Sequence, residues 1–184
     1  DGDGDAGYCI WRGGPVSTAE SPDQHELTAP EREEIDRWLA QFPDTPEGRR
    51  SAVIPALHVV QHNTGWLPRG RMDAVAEYLG MAPARVYEVA TFYGMFEVEP
   101  GGRHRVNICT NISCMLRGSD EIVEHVEKKL GISLGETTSD GRITLKREEE
   151  CLAACRSAPM MLVDEVFYTD LTPEKVDRIL DDLE

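Results

Sequence analysis

The chain contains CTNISC at residues 109–114 and CLAAC at residues 151–155, and these two segments hold four of its five cysteines. The pattern is C-x4-C followed, after a long insert, by C-x3-C. Because residues 115–150 separate the pairs, the two segments cannot share one short loop, and the fold must bring two loops together. Four thiolates at one point would repel one another and take up protons unless a cation lay between them. The pattern therefore predicts a zinc ion, an iron–sulfur cluster or two disulfides.

The spacing within each pair narrows this choice. Neither pair has the C-x2-C spacing that is common in zinc knuckles, although four sulfur ligands suit zinc and iron–sulfur sites alike. A [2Fe–2S] cluster is larger than a single ion and takes two thiolates on each iron, so wider loops fit it, although the spacing also differs from the known ferredoxin runs. An odd number of cysteines in close pairs fits a metal in a reducing compartment better than a disulfide framework. Spacing alone leaves zinc and a cluster open and places disulfides behind both.

The residues around the cysteines predict a small sheet with two helices. The first strand, 104–109, ends in Cys109, and a helix over 118–130 follows with Ser119 as its N-cap. The remaining predicted elements are strand 142–147, a hairpin of 160–163 with 166–168, and a last helix that begins at Thr172-Pro173. The order β-α-β-β-α is the one that a thioredoxin-like domain requires. It places Cys109 at a strand end and Cys151 and Cys155 between two strands, so both loops open at one edge of the sheet.

The residues before this domain predict a small helical bundle. Apolar residues recur at helical spacing over 28–41, 47–62, 69–79 and 83–92. Thr28 and Glu31 form a capping box at the start of the first helix, and Pro55 is expected to kink the second. The domain prediction is an acidic, disordered tail at 1–26, a helical bundle at 27–98 and a thioredoxin-like domain at 99–184, which gives a mixed α+β or α/β fold class overall.

Composition and charge exclude some classes of function. The formal net charge of −15 argues against nucleic acid as a partner, because phosphate contacts need Lys and Arg. No apolar run approaches the length needed to insert directly into a membrane. The tail is rich in Gly, Asp and Pro, and Cys9 within it is expected to be an idle thiol, although residues 8–11 have the composition of a short docking segment.

Four parts of the chain together resemble a known family. They are the stretch from Gln61 to Trp66, the VATFYGMF segment at 89–96, the C-x4-C pair and C-x3-C followed by Pro159 as C-x3-C-x3-P. In this order and spacing they resemble the E subunit of NADH-quinone oxidoreductase (respiratory complex I), a thioredoxin-like [2Fe–2S] ferredoxin. The resemblance covers residues 28–184.

The resemblance implies a cofactor and its ligands. Cys109 and Cys114 would bind one iron of a single [2Fe–2S] cluster, and Cys151 and Cys155 would bind the other. Backbone N–H groups would donate to the sulfurs and raise the reduction potential, whereas the acidic charge of the protein would lower it; the expected donors are Thr110, Asn111, Ser113, Ala153 and Arg156. Pro159 stands where thioredoxin-like folds carry a cis-proline.

The resemblance also implies partners and a location. The partner would be the NADH-binding flavoprotein (the F subunit), which carries FMN, binds NADH and lies with other subunits in the peripheral arm of the complex. The sequence itself has no GxGxxG or P-loop that would bind a nucleotide or flavin. This chain would therefore have no catalytic residues of its own, and electrons would pass between its cluster and the FMN of the partner. The complex would lie on the cytoplasmic side of the inner membrane, with this subunit peripheral to it.

Other functions remain open at this point. The same module resembles the small subunit of NAD-dependent formate dehydrogenases and NAD-linked hydrogenases. A zinc-stabilised assembly subunit would use the same four cysteines without redox chemistry. A thiol–disulfide enzyme on this fold would carry C-x2-C at a helix N-terminus, and the sequence has none.

Two further segments have an ordinary structural interpretation. Residues 89–96 are apolar and aromatic, and core packing is the favoured interpretation, with an interface to a partner as the alternative. His58 and His62 have the i, i+4 spacing of a metal pair, but no HExxH motif accompanies them, so ordinary helix histidines are expected.

Overall fold

The structure is a computed structural model, and it describes residues 8–9, 26–147 and 151–184. The described chain divides into two compact units. The helical unit contains the described residues 26–100, and the sheet unit contains residues 8–9, 101–147 and 151–184. The disordered tail and the docking segment predicted at the N-terminus fall mostly outside the described residues.

The helical unit consists of five helices. They are α1 (Ala29–Leu39), α2 (Pro46–Ser51), α3 (Val53–Thr64), α4 (Arg69–Leu79) and α5 (Pro83–Phe92). The capping box predicted at the start of α1 is confirmed, because the Thr28 side chain accepts from the Glu31 N–H and the Glu31 carboxylate accepts from the Thr28 N–H. α4 ends at Gly80, whose φ of 68° is a left-handed conformation that glycine adopts without strain.

The prediction of one kinked helix over 47–62 is wrong. The chain forms two helices there, α2 and α3, which are separated at Ala52. Pro55 lies in the first turn of α3, where the backbone N–H groups have no intrahelical partner in any helix. A proline at that position removes no hydrogen bond, so it helps to start α3 instead of kinking a longer helix.

The core of the helical unit is apolar except for one ion pair. The buried apolar side chains include Ile35, Leu57, Val60, Leu67, Met72, Val75, Leu79, Val86 and Ala90. Glu31 and Arg71 are buried among them and form a salt bridge with each other. The capping box of α1 is thereby tied through Glu31 to Arg71 of α4.

The sheet unit contains five strands in the order β1-β5-β4-β2-β3. The strands are β1 (Tyr8–Cys9), β2 (His104–Ile108), β3 (Ile143–Leu145), β4 (Met161–Val163) and β5 (Val166–Tyr168). β2 and β3 are parallel, whereas the other three pairings are antiparallel, and β1 pairs with β5 through Tyr8 opposite Phe167 and Cys9 opposite Val166. The helices are α6 (Ile112–Met115), α7 (Ser119–Leu130) and α8 (Pro173–Asp181). From β2 onward the predicted strands and helices all form, with α6 as an addition. Three strands, β3, β4 and β5, lie between α7 and α8, which is one strand more than the predicted β-α-β-β-α order contains.

Two helices cover one face of this sheet. Val106, Ile108, Ile143, Leu145, Met161 and Val163 from the strands pack with Ile122 and Val126 of α7 and Val176 and Leu180 of α8. All ten are at most a few per cent exposed. Burial of these side chains holds β2 and β4 side by side. The first cysteine pair follows the end of β2, and the second pair precedes the start of β4.

The prediction that Ser119 caps α7 is wrong. Gly118 is the N-cap, with φ of 89°, and Ser119 is the first helical residue, fully buried. Ser119 lies one residue inside the helix and not at the N-cap position, and its buried hydroxyl makes no capping hydrogen bond. A left-handed glycine makes the sharp entry into the helix that a capping side chain would otherwise stabilise.

The helices of the described residues are too short to cross a bilayer. The longest of them, α3 and α7, contain 12 residues each, whereas a span takes about 20. No helix within residues 8–9, 26–147 and 151–184 has both the length and the apolar character of a membrane span.

Candidate metal centre

The first cysteine pair lies on a tight strand-to-helix connection. Cys109 directly follows β2, and its N–H donates to the carbonyl of Met160 at 3.1 Å. Asn111 then caps the single-turn helix α6, accepting the Ile112 N–H on its side-chain oxygen at 3.0 Å. Cys114 lies inside α6. The cap and the turn place both thiols of this pair on the same side of the loop.

The second pair lies between β3 and β4, as predicted. Cys155 begins a short 3-10 helix, Cys155–Ser157, and Ala153 between the two cysteines has a left-handed φ of 61°. The Ala158–Pro159 bond that follows is cis, which confirms the prediction for Pro159.

The fold brings the two cysteine pairs together. Cys109 contacts both Cys114 and Cys151 through their thiols, and the Sγ atoms of Cys151 and Cys155 are 3.4 Å apart. Cys109 and Cys114 are buried with Ala158 and Met160, whereas Cys151 and Cys155 are exposed. The four thiols thus form one cluster that is closed on the β2 side and open to solvent on the other.

Backbone N–H groups surround the sulfurs. Asn111 and Leu152 donate to Cys109, Met160 donates to Cys114, and Ala153 donates to Cys151. Asn111 and Ala153 are among the predicted donors. Leu152 and Met160 are not among the donors predicted from the sequence. Leu152 directly precedes the predicted donor Ala153, and this position in the chain was the one signal that could have indicated it. Donation by Thr110, Ser113 and Arg156 stays a prediction.

The surroundings separate the thiols in acidity. Burial works to raise the pKa of Cys109, but the N–H groups of Leu152 and Asn111 and the neighbouring thiols lower that pKa below its ordinary value. Burial and then the hydrogen bond with Cys109 raise the pKa of Cys114 to about 11. For Cys151 the N–H of Ala153 lowers the pKa, but Cys155 and desolvation outweigh it and the net pKa is raised. Cys109, Cys114 and Cys151 therefore titrate as interacting groups, in which a thiolate on one sulfur opposes a second nearby.

The donor set discriminates between the candidate metals. Neighbouring thiols contact each other in the order Cys114, Cys109, Cys151, Cys155. A tetrahedral zinc site needs all its ligands around one point, whereas a [2Fe–2S] cluster needs two pairs side by side. Two adjacent thiol pairs with backbone N–H donors fit the binuclear cluster.

His58 of α3 belongs to the helical unit and has a structural role there. The His58 ring packs against Phe96 with a centroid distance of 4.9 Å. Burial lowers the pKa of His58, so its neutral form is favoured. These contacts support the interpretation of His58 as an ordinary helix histidine.

The aromatic segment at 89–96 is not plain core. Phe96 is buried, but Phe92 is 77% exposed and Tyr93 and Met95 are also exposed. Tyr87 on α5 is exposed as well, and these four exposed side chains, Tyr87, Phe92, Tyr93 and Met95, are here called the α5 patch. The core interpretation is therefore wrong for most of this segment, because the segment turns its large side chains outward after α5.

A second apolar patch lies beside the cysteines. Ile112, Met115 and Leu116 in and after α6 are all exposed, with Leu116 at 76%, and are here called the α6 patch. Their spacing places them on one side of the single turn, while Cys114 points inward. Exposed clusters of large apolar side chains are typical of surfaces that contact another protein.

Several curated proteins similar to this chain are named as the E subunit of NADH-quinone oxidoreductase. The protein of that name from Rickettsia conorii is 46% identical over 140 residues, which cover 76% of this chain and 83% of that protein. The second such protein of Rhizobium meliloti is 45% identical over 150 residues, covering 82% and 86%. The mitochondrial NADH dehydrogenase [ubiquinone] flavoprotein 2 of Dictyostelium discoideum is also similar, at 45% identity over 150 residues, covering 81% of this chain and 60% of that protein.

A solved structure shares the fold at low identity. It is an NAD+-reducing [NiFe]-hydrogenase in the H2-reduced state, with a TM-score of 0.61, 19% identity and coverage of 70% of this chain. This chain spans only 22% of the length of that hydrogenase chain, and at this identity the likeness shows the fold alone.

The match at the level of families includes both units and all four clustered cysteines. Residues 35–184 match the family described as thioredoxin-like [2Fe–2S] ferredoxin. This match covers most of the chain and agrees with the strand order and the paired thiols of the sheet unit. The chain belongs to the thioredoxin-like [2Fe–2S] ferredoxin family.

Proposed function

We propose that this chain is the electron-transfer subunit of an NADH-oxidising module, and that it carries one [2Fe–2S] cluster. Cys109 and Cys114 would bind one iron, and Cys151 and Cys155 the other. The observation that carries the proposal is the meeting of these two distant pairs, with Sγ atoms as close as 3.4 Å between Cys151 and Cys155, in a chain of a [2Fe–2S] family. Residues 99–184 hold the site, and the helices of 27–98 serve assembly.

The bound cluster supplies one-electron chemistry, and the protein controls charge and water around it. Cys109 and Cys114 are shielded by Met160 and Ala158, which excludes water from one half of the site. The N–H groups at Asn111, Leu152, Ala153 and Met160 stabilise negative charge on the sulfurs. The four cysteines act as ligands and carry out no acid–base or nucleophilic step.

The donor and acceptor of the electron belong to a partner. We infer a flavoprotein subunit with FMN and an NADH site, because relatives of this chain are named as subunits of NADH-quinone oxidoreductase and the sequence carries no nucleotide-binding motif. The α5 patch and the α6 patch support assembly with other proteins. In this proposal the activity is NADH oxidation coupled to quinone reduction by the whole complex, on the cytoplasmic side of the inner membrane.

A second candidate is the equivalent small subunit of an NAD-linked hydrogenase or formate dehydrogenase. The likeness to the NAD+-reducing [NiFe]-hydrogenase supports it at the level of fold. The higher identity, near 45%, to the quinone-oxidoreductase proteins favours the quinone-linked complex. Affinity purification of the chain from its native membranes separates the two, because quinone-reductase subunits would co-purify in one case and a hydrogenase or formate dehydrogenase in the other.

The cluster itself is tested by spectroscopy of cysteine variants. EPR of the reduced protein should show a [2Fe–2S] signal. Chemical analysis should find two irons and two sulfides per chain. Replacing Cys109, Cys114, Cys151 or Cys155 by Ser should abolish or alter that signal, whereas Cys9→Ser, the matched control, should leave it unchanged. A colourless protein that contains zinc after anaerobic preparation contradicts the electron-transfer proposal and supports the assembly-subunit alternative.

A further inference from the structure

The backbone at Ala153 has an unusual conformation for its residue type. Its φ of 61° is in the left-handed region, which side-chain-bearing residues rarely adopt. The other described non-glycine residues with positive φ are Asp164 and Asp170. Aspartate reaches this region because its carboxylate can hydrogen-bond locally, but the methyl group of alanine offers no such compensation. Contacts of the Ala153 backbone must therefore hold it there.

Those contacts are made with the cysteine site. The N–H of Ala153 donates to Cys151, and the N–H of the preceding residue, Leu152, donates to Cys109. Two consecutive N–H groups thus point at sulfurs that belong to different cysteine pairs. Consecutive N–H groups beside a left-handed residue form a concave anion-binding arrangement called a nest, which recurs at phosphate and iron–sulfur sites.

We propose that residues 152–153 form a backbone nest that bridges both halves of the site, and that Ala153 is the positioning residue whose left-handed conformation aims it. The inference rests on the proposed function, because the nest matters only if the thiols carry a cluster. Each electron accepted at the site adds one negative charge without a proton. N–H groups aimed at the sulfurs offset that charge, so the nest raises the reduction potential.

Substitution at residue 153 isolates the backbone effect. The Ala153 side chain is exposed, so a larger side chain meets no packed core and acts through φ alone. Ala153→Val introduces a β-branched residue, which strongly disfavours positive φ, and should rotate the N–H away from Cys151. Ala153→Gly removes the strain while it keeps the left-handed conformation accessible. Ala154→Gly is the matched control, because Ala154 lies next in the chain with an ordinary negative φ of −103°.

The test uses the full chain with its cluster, followed by EPR-monitored redox titration and by thermal unfolding. We expect a lower midpoint potential for A153V, and an unchanged potential with a higher melting temperature for A153G. We expect an unchanged potential and no rise in melting temperature for A154G. The inference is overturned if A153V keeps the wild-type potential, if A154G shifts the potential as much as A153V, or if A153G melts at a lower temperature than wild type.

Two controls keep the outcome interpretable. If A153V does not retain iron, the milder A153T takes its place in the titration, and the melting temperature of A153G decides independently whether Ala153 is strained. Absence of any [2Fe–2S] signal from the wild-type chain contradicts the proposed function itself. A normal wild-type signal, together with midpoint potentials that do not change on substitution of residue 153, contradicts only the proposal of the nest.

Discussion

The side-chain amide of Gln61 bonds to the backbone of Glu97 across the helical unit. Its Oε1 accepts the N–H of Glu97 at 2.7 Å, and its Nε2 donates to the carbonyl of Met95 at 2.9 Å. The carbonyl of Glu97 in turn accepts the N–H of Leu67. Gln61 on α3 thus pins the segment that follows α5, and this segment carries Tyr93 and Met95 of the α5 patch.

Replacing Gln61 by Leu should loosen that segment. Two hydrogen bonds to backbone groups are lost, which we expect to cost about 1–3 kcal/mol in the free energy of unfolding. Urea unfolding measures the loss, and hydrogen exchange at residues 93–97 should rise. Gln41→Leu is the matched control, because Gln41 is exposed and its amide reaches only the Arg37 carbonyl at 3.5 Å. Equal losses from both variants would show that the Gln61 contacts add nothing.

The α5 patch should contribute to binding rather than to stability. Phe92 is 77% exposed and its ring contacts Tyr93 edge-on at 4.9 Å. Phe92→Ser should weaken association with the partner complex by about tenfold, since exposed aromatic anchors are frequent hot spots, and should leave the melting temperature nearly unchanged. The measurement is co-purification and titration with the flavoprotein proposed as the partner. Phe96→Ala is the contrast, because Phe96 is buried and its loss should destabilise the fold. Unimpaired binding by F92S would remove this patch from the interface.

Local sequence signals were sufficient for most of the elements. The strand that ends at the first cysteine pair and the helices that end at Gly80 and Gly131 all follow from apolar spacing and glycine signals, and the structure places them within a residue or two. The meeting of the two cysteine pairs was predictable because one pair follows a strand of the small sheet and the other lies between two strands of the same sheet. The elements themselves depend on residues that are near one another in the chain, whereas the meeting of the pairs depends on the order of those elements.

Features that depend on distant partners could not be predicted. The conformation of Ala153 has no signal in its own residue type, because sulfur atoms hold its N–H in place. The sequence around Arg71 gives no sign that this helix arginine is buried. Its burial depends on Glu31, which lies forty positions away in the chain. The outward turn of residues 92–95 follows from the Gln61 contacts, which join residues more than thirty positions apart.

The buried pair of Glu31 and Arg71 should be one of the most sensitive points in the helical unit. The Glu31 carboxylate accepts from Arg71, from the Asn63 amide at 3.2 Å and from the Thr28 N–H at 2.8 Å. Glu31→Gln leaves a buried guanidinium without its counter-charge, which should cost about 3–5 kcal/mol. Urea unfolding measures it. Glu88→Gln, in an exposed pair with Arg85, is the matched control and should leave the unfolding midpoint unchanged. A loss for E31Q no greater than for E88Q would contradict this account.

The stability of the helical unit should depend on pH through His58. Burial lowers the pKa of His58 from its ordinary 6.5, so the unfolded chain binds this proton more readily than the folded one. Its contribution to stability is therefore fully present above pH 6.5 and is lost as the pH falls from 6.5 through the lower folded-state pKa. One such proton gives a slope of at most about 1.4 kcal/mol per pH unit within that window.

Replacing His58 by Phe should remove this slope, because the half-buried ring of His58 packs against Phe96 and another aromatic ring keeps that packing. The measurement is the urea midpoint at pH 7.5, 6.5 and 5.5 for the wild type and for the variant. His62→Gln, one turn further along α3, is the matched control and should keep the His58 slope, since it leaves that ring in place. If the slope persists in H58F, another group sets the pH dependence. A wild-type midpoint that stays constant over this range would mean that His58 is protonated as easily in the folded chain as in the unfolded one, and its packing against Phe96 would then have to admit water.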